Sequence, residues 1–237
     1  MKIAIIGYGK MGKTIEGIAL AEGDEIVLRI TDENVAELTR ENLQKADVAI
    51  EFTHPEAAFD NIKMCLKAGT PVVCGTTGWV DRISDIQQYT HQQKGAFFYA
   101  SNFSIGVNIF FAINKQLADM MNKQNSYKPS IHEIHHTQKL DAPSGTAITL
   151  GEGIVEKITR LNSWTSQTHK SDELPISSAR IDDTPGTHIV KYTSDIDDIE
   201  LIHTARSREG FARGALMAAH WLVGKKGCFG MSNMLGF

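Results

Sequence analysis

The chain has 237 residues, a net charge of −4 and 42% hydrophobic residues, enough for two domains with sizeable cores. So mild an acidity excludes a nucleic-acid partner held mainly by phosphate neutralisation, the apolar share excludes a disordered or fibrous chain, and no stretch approaches the eighteen apolar residues of a membrane span. The three cysteines, Cys65, Cys74 and Cys228, argue against a disulfide framework by their odd number and wide spacing, and the apolar run at the N-terminus is too short for a signal peptide, so a soluble, cytoplasmic protein is expected.

Lys2–Ile6 reads as a buried strand, followed by glycines and a helical stretch from Met11 to Ala21. Glu25–Ile30, Asp47–Phe52, Pro71–Cys74 and Ala96–Ala100 are further strands, with helical patterns over Pro55–Lys67 and Val80–Gln93 between them. Strand, crossover helix and strand in repetition predict a parallel sheet with helices on both faces. Between the first strand and helix, Gly7-Tyr8-Gly9-Lys10-Met11-Gly12 fits G-x-G-x-x-G. These glycines permit a tight turn and close approach of backbone to a pyrophosphate at a helix N-terminus. Asp32 follows the second strand, where a carboxylate can accept hydrogen bonds from the adenosine ribose. Residues 1–103 are therefore read as a Rossmann-type dinucleotide-binding domain. Asp32-Glu33 would repel a 2′-phosphate, with Lys10, Lys13 and Arg29 able to offset part of that. NADH is favoured, and NADPH stays open. Gly75-Thr76-Thr77-Gly78 and Ala100-Ser101-Asn102-Phe103 end strands that open onto the ligand crevice of such sheets, and each is equally readable as an ordinary turn.

The pattern changes near Asn102. Ile105–Met121 is a long amphipathic helix, Pro129–Thr137 is extended, and Ser144–Ile158 is a helix with a serine start. Asn162–Asp172 reads as a mobile polar loop. Ile176–Ile181, His188–Tyr192 and Ile199–Thr204 are strand-like, the last two flanking Ser194–Asp198 as a hairpin. Residues 104–210 are thus a second α+β domain with a mixed sheet, and a final helix over Gly214–Val223, within residues 211–237, is expected to return to the first domain.

His132-Glu133-Ile134-His135-His136 formally satisfies the H-E-x-x-H zinc pattern, which needs a sustained helix. Pro129 and Pro143 bracket the segment and no third ligand follows, so no metal is expected. In an extended reading Glu133 and His135 share one face, and His135 or His136 can exchange a proton near neutrality. Lys139 beyond the strand end supplies a cation, and the amides of Gly145 and Thr146 open a helix whose N-terminus suits an anion. A small acidic substrate fits this set.

Six blocks in order, GYGKMG, EFTHPEA, AGTPVVCGTTGW, SNFSIGVN, EIHHTQKLDAPSGTA and IHTARSREGFARGAL with the trailing HWLVGK, span nearly the whole chain. Through them the sequence resembles the 4-hydroxy-tetrahydrodipicolinate reductase (dihydrodipicolinate reductase) family of lysine and diaminopimelate biosynthesis. The resemblance implies NAD(P)H-dependent reduction of a cyclic dicarboxylate with loss of water. It places the proton donor and acceptor on His135, a proton-donating lysine on Lys139, and substrate contacts on His136, Gly145 and Thr146. It places cofactor contacts on Gly7 to Gly12, Asp32, Gly75 to Thr77 and Ala100 to Phe103. It also implies a homotetramer built through the second domain's sheet. Glu33 stands where many members carry arginine, which leaves the cofactor choice open. The alternatives are another nicotinamide-dependent dehydrogenase of the same two-domain plan and a non-catalytic nucleotide-binding regulator, which would need neither His135 nor Lys139.

Overall fold

The structure is a computed structural model that describes residues 1–207 and 209–237; Arg208, inside the IHTARSREGFARGAL block, lies outside the described residues. The chain forms two units, residues 1–105 with 209–237 and residues 106–208.

In the first unit the apolar runs become strands because both their faces are covered. The elements are β1 (Lys2–Ile6), α1 (Lys10–Ala21), β2 (Glu25–Ile30), a one-turn α2 (Arg40–Leu43), β3 (Val48–Glu51), α3 (Pro55–Ala68), β4 (Val72–Cys74), α4 (Ile83–Gln92) and β5 (Ala96–Tyr99). Pro55 opens α3, and Gly69 ends it in a left-handed conformation, the favoured residue at each end. Two elements from the end of the chain, α7 (Glu209–Leu222) and β11 (Gly227–Phe229), complete the unit with the short α8 (Met231–Leu235). The sheet is parallel throughout, in the order β11-β5-β4-β3-β1-β2. One face buries Ile3, Ile5 and Phe98 under α1 and α7; the other buries Ile6, Val72 and Phe97 under α3 and α4. The sequence reading of five strands thus lacks β11, a three-residue strand too short to show a period. Its final helix starts five residues late: α7 begins at Glu209 and already buries Ala212 in its first turn.

The second unit holds α5 (Ile105–Met121), β6 (Lys128–His135), α6 (Gly145–Lys157), β7 (Ser163–Thr165), β8 (Glu173–Arg180), β9 (Gly186–Thr193) and β10 (Asp198–Ala205). The sheet order is β10-β9-β6-β8-β7, antiparallel across β10, β9 and β6 and parallel across β6, β8 and β7. Its buried face meets α5 and α6 around Phe110, Ile131, Leu150, Ile154 and Tyr192. The expected loop over Asn162–Asp172 is corrected here: Ser163–Thr165 is a strand paired with Glu173–Pro175. Half-buried Trp164 packs on the core of this unit, and a β-carbon on Gly151 of α6 would lie 3.6 Å from the Trp164 β-carbon. Among the described residues no helix is long and apolar enough to cross a membrane.

Candidate active site

Two sites are built separately in the two units. In the first, Gly7 takes a positive φ of 94° directly after β1, and a β-carbon there would lie 1.9 Å from the Phe52 carbonyl oxygen. A β-carbon on Gly12 would lie 2.4 Å from the Gly7 oxygen, whereas Gly9 faces open space. Only glycine fits the turn, and the backbone at Gly9 is left bare for a ligand. Gly7, Tyr8, Gly9, Asp32, Val35 and Phe52 are among the residues lining a pocket of about 360 Å³. Its mix of apolar wall, exposed carboxylate and helix N-terminus fits the adenosine and pyrophosphate of a dinucleotide.

The other proposed contacts divide by environment. Lys10 is exposed at the start of α1, while Met11 packs toward the core and Gly12 is buried. Gly75 is half-buried, Thr77 is exposed, and Ser101 and Asn102 reach the surface. Thr76 is buried: its hydroxyl donates to the fully buried Glu51 carboxylate at 2.8 Å and accepts from the Thr53 N–H at 2.8 Å. Ala100 and Phe103 belong to the core, with Phe103 stacked on Phe98 at 5.9 Å between ring centres. Arg29 donates to Glu16 from Nε at 2.8 Å and also from its terminal nitrogen. Its charge is therefore spent within the domain. The Glu16 carboxyl is held below its ordinary range chiefly by that hydrogen bond.

The second site grows from the register of β6. Period-two alternation puts Pro129, Ile131, Glu133 and His135 on the buried face. The segment is a strand, so the helical H-E-x-x-H arrangement does not form. Glu133 pairs across the sheet with Ser178 of β8 and His188 of β9, and His188 pairs with His203 of β10. The result is a polar row on a buried face, with Glu133 and His188 at 0% and 5% exposure. One oxygen of Glu133 accepts from Arg180 and the other contacts His135 Nδ1. The His188 ring stands edge-on to His135, 5.0 Å between centres, with its Nε2 3.1 Å from Ser144 Oγ. Ser144 caps α6 by accepting the Ala147 N–H. Gly145 and Thr146 are thereby fixed as the first helical residues, whose N–H groups have no partner inside a helix. Lys139 Nζ donates to Asp141 at 2.8 and 2.9 Å.

The His135 ring leaves no room for a side chain at Gly186, where a β-carbon would meet Nε2 at 2.9 Å. Burial lowers the His135 pKa despite Glu133, which raises it, and Lys139 lowers it further. Burial acts to raise Glu133, but hydrogen bonds from Ser178, Ser144 and Arg180 outweigh it and keep the carboxyl ionised below its ordinary range. His135, Lys139 and the α6 N-terminus are thus brought together through Glu133, Arg180 and His188. His136 lines a pocket of about 320 Å³ with Thr137, Gln138, Asp182 and Thr184. Glu133, His135 and His188 are the one trio among the described residues spaced to hold a metal ion. Arg180 already neutralises its carboxylate, so a cation there would meet a guanidinium. In the sequence Ser144 reads as a helix start, and Arg180 through His188 as a loose match to the family's R-x-G-x-x-x-G-x-H pattern, but none of the three reads as part of the site. A further signal for His188 was a polar residue at a buried position of an alternating strand; the pairing of Arg180 with Glu133, 47 residues away, left none.

Comparison with known proteins gives one answer. A family model described as "Dihydrodipicolinate reductase, N-terminus" matches residues 1–103, and one described as "Dihydrodipicolinate reductase, C-terminus" matches residues 106–235. The chain is 48% identical over 235 residues to a 4-hydroxy-tetrahydrodipicolinate reductase of Christiangramia forsetii, covering 99% of this chain and 98% of the relative. In fold it is similar to a dipicolinate-bound dihydrodipicolinate reductase from Paenisporosarcina sp. TG-14, with a TM-score of 0.79 at 23% identity and 98% of each chain covered. An amine dehydrogenase from Mycobacterium smegmatis shares the fold more distantly, with a TM-score of 0.54 at 11% identity, covering 96% of this chain and 93% of that one.

The buried imidazole beside Ser144 has a consequence for stability. Burial and the neighbouring His135 push the His188 pKa down to about 4 from 6.5. Between those values the unfolded chain takes up a proton that the folded chain refuses, so stability falls as pH drops from 6.5 toward 4. Integrated from pH 7 to pH 5, the loss is about 2 kcal/mol. Urea unfolding at both pH values should show wild type losing that much more than His188→Asn; equal losses would contradict the assignment.

Proposed function

The chain belongs to the dihydrodipicolinate reductase family, and on that premise we propose which of its residues carry each part of the reaction. The protein reduces 4-hydroxy-tetrahydrodipicolinate to tetrahydrodipicolinate with NAD(P)H. One hydride and one proton enter, and the ring hydroxyl leaves as water. The observation that carries the assignment of residues is the meeting of His135, Lys139 and the capped α6 N-terminus around one buried carboxylate.

The Gly7–Gly12 turn and the N-terminus of α1 hold the pyrophosphate, Asp32 accepts from the adenosine ribose, and Gly75 to Thr77 with Ala100 to Phe103 form the nicotinamide end. In that last group the exposed Thr77 and Ser101 and the half-buried Asn102 touch the ligand, and the buried Thr76, Ala100 and Phe103 shape the backbone beneath them. Reduced nicotinamide supplies the hydride when bound. Gly145 and Thr146 receive a substrate carboxylate on their free N–H groups. Lys139, with three N–H donors on a flexible stem, binds the same carboxylate edge and delivers the proton. The neutral His135 imidazole, held through Nδ1 by Glu133, has Nε2 as its acceptor and exchanges the proton with the reacting group. His136, beside His135 at the end of β6, adds a further contact to the substrate. The enzyme acts in the cytoplasm as a homotetramer joined through the second unit's sheet, whose outward face exposes Ile202 at 57%.

NADH is the preferred cofactor. Asp32 and Glu33 are exposed beside the adenosine pocket, and Arg29 is committed to Glu16. Their repulsion of a 2′-phosphate should cost NADPH roughly tenfold in affinity.

Steady-state assays following NADH and NADPH separately test both halves. His135→Ala and Lys139→Ala should each lose about 10²- to 10⁴-fold in kcat with NADH affinity unchanged, assayed at a temperature where melts show each variant folded. Wild-type turnover in both variants would overturn the catalytic assignment, and a more than tenfold preference for NADPH would overturn the cofactor assignment.

A further inference from the structure

Arg180 sits at the end of β8, opposite His135 in the parallel register with β6. A guanidinium has five N–H donors in a rigid plane, and here each has an acceptor. The two terminal nitrogens each donate to the same Glu133 oxygen at 3.0 Å. One of them also donates to the Ala179 carbonyl at 2.9 Å and the other to the Asp141 carbonyl at 2.5 Å. Nε donates to the Lys139 carbonyl at 3.2 Å. One side chain therefore grips the carboxylate that holds His135 and two backbone carbonyls of the loop that carries Lys139.

We propose that Arg180 is a positioning residue that fixes the His135 strand and the Lys139 loop relative to each other, and that it does not bind the substrate. The inference rests on the reading of His135 and Lys139 as the proton-transfer groups. With all five donors occupied inside the protein, Arg180 has none left for a substrate carboxylate, although its charge near an acidic substrate invites that role. Glu133, with no exposed surface, faces the Arg180 guanidinium as its counter-charge on one oxygen and the neutral His135 ring on the other. Loss of the guanidinium would leave a buried carboxylate half-paired and free the 139–141 segment at once. Lysine at this position would keep the positive charge but reach one acceptor where arginine reaches four residues.

The test is a kinetic comparison of full-length Arg180→Lys and Arg180→Ala with wild type, at matched melting temperature. A misplacement of about 1 Å in a catalytic group costs on the order of 10²-fold. Arg180→Lys should therefore lose about that factor in kcat while KM for the dicarboxylate changes less than threefold. Added guanidinium ion should restore part of the Arg180→Ala activity, and methylammonium should not. If Arg180→Ala does not fold, the lysine variant decides alone. A raised KM with wild-type kcat would make Arg180 a substrate ligand, and wild-type values for both would make it a bystander; either result overturns the proposal. If His135→Ala and Lys139→Ala themselves turn over normally, the reading of those residues has failed, whatever Arg180 does.

Discussion

A carboxylate with no exposed surface sits in the middle of the second unit's sheet, and much of the site follows from it. Removing an ion from water costs several kcal/mol unless it is paired and its lone pairs are used. Arg180 pairs with one oxygen of Glu133, and His135 Nδ1 stands against the other. The pairing fixes the register of β6 against β8 and orients the His135 ring. It also ties down the loop that ends at the α6 N-cap, because Arg180 holds the carbonyls of Lys139 and Asp141. A slip of one residue along β6 would turn Glu133 toward the other face and strand the guanidinium. Apolar packing of Ile131, Leu150 and Val190 makes the sheet adhere to its helices; the ion pair selects which pairing is adopted.

The first unit uses a second buried carboxylate in a similar way. Glu51 at the end of β3 accepts from Thr76 and Thr53 and lies 3.0 Å from the Cys74 sulfur. These contacts tie the ends of β3 and β4 together just where the strands open onto the nucleotide crevice. The Cys74 thiol is accordingly held far above its ordinary range by burial and by Glu51, so it is inert as a nucleophile. Each unit thus carries a buried carboxylate whose hydrogen bonds reach residues at or just beyond the strand ends.

The legibility of these features in the sequence follows their range. The glycine turn, the five strands β1 to β5 and the long helices were readable because periodicity and local turn chemistry are short-range signals. The histidine segment was readable as extended because Pro129 and Pro143 deny it a helix. β7 and β11 escaped, each being three residues long, and held by packing rather than by pattern. The engagement of Thr76 by Glu51, 25 residues away, and of Arg180 by Glu133, 47 residues away, could not be read. Such contacts exist only once the sheet order is set, and the sequence does not announce that order for a mixed sheet. The same limit applied to Arg29: in the sequence it was a free cation beside the cofactor pocket, and in the structure it belongs to Glu16.

In the proposed reaction, substrate charge is met by Lys139 and the α6 N-terminus while Arg180 stays on Glu133. A crystal structure of the protein with NADH and pyridine-2,6-dicarboxylate, a planar mimic of the product, addresses it directly. One ligand carboxylate should lie within hydrogen-bond distance of the Gly145 and Thr146 amides and of Lys139 Nζ, with all five Arg180 donors still engaged as they are here. A ligand confined to the His136 pocket, or an Arg180 that has left Glu133 to take the ligand carboxylate, would contradict the account.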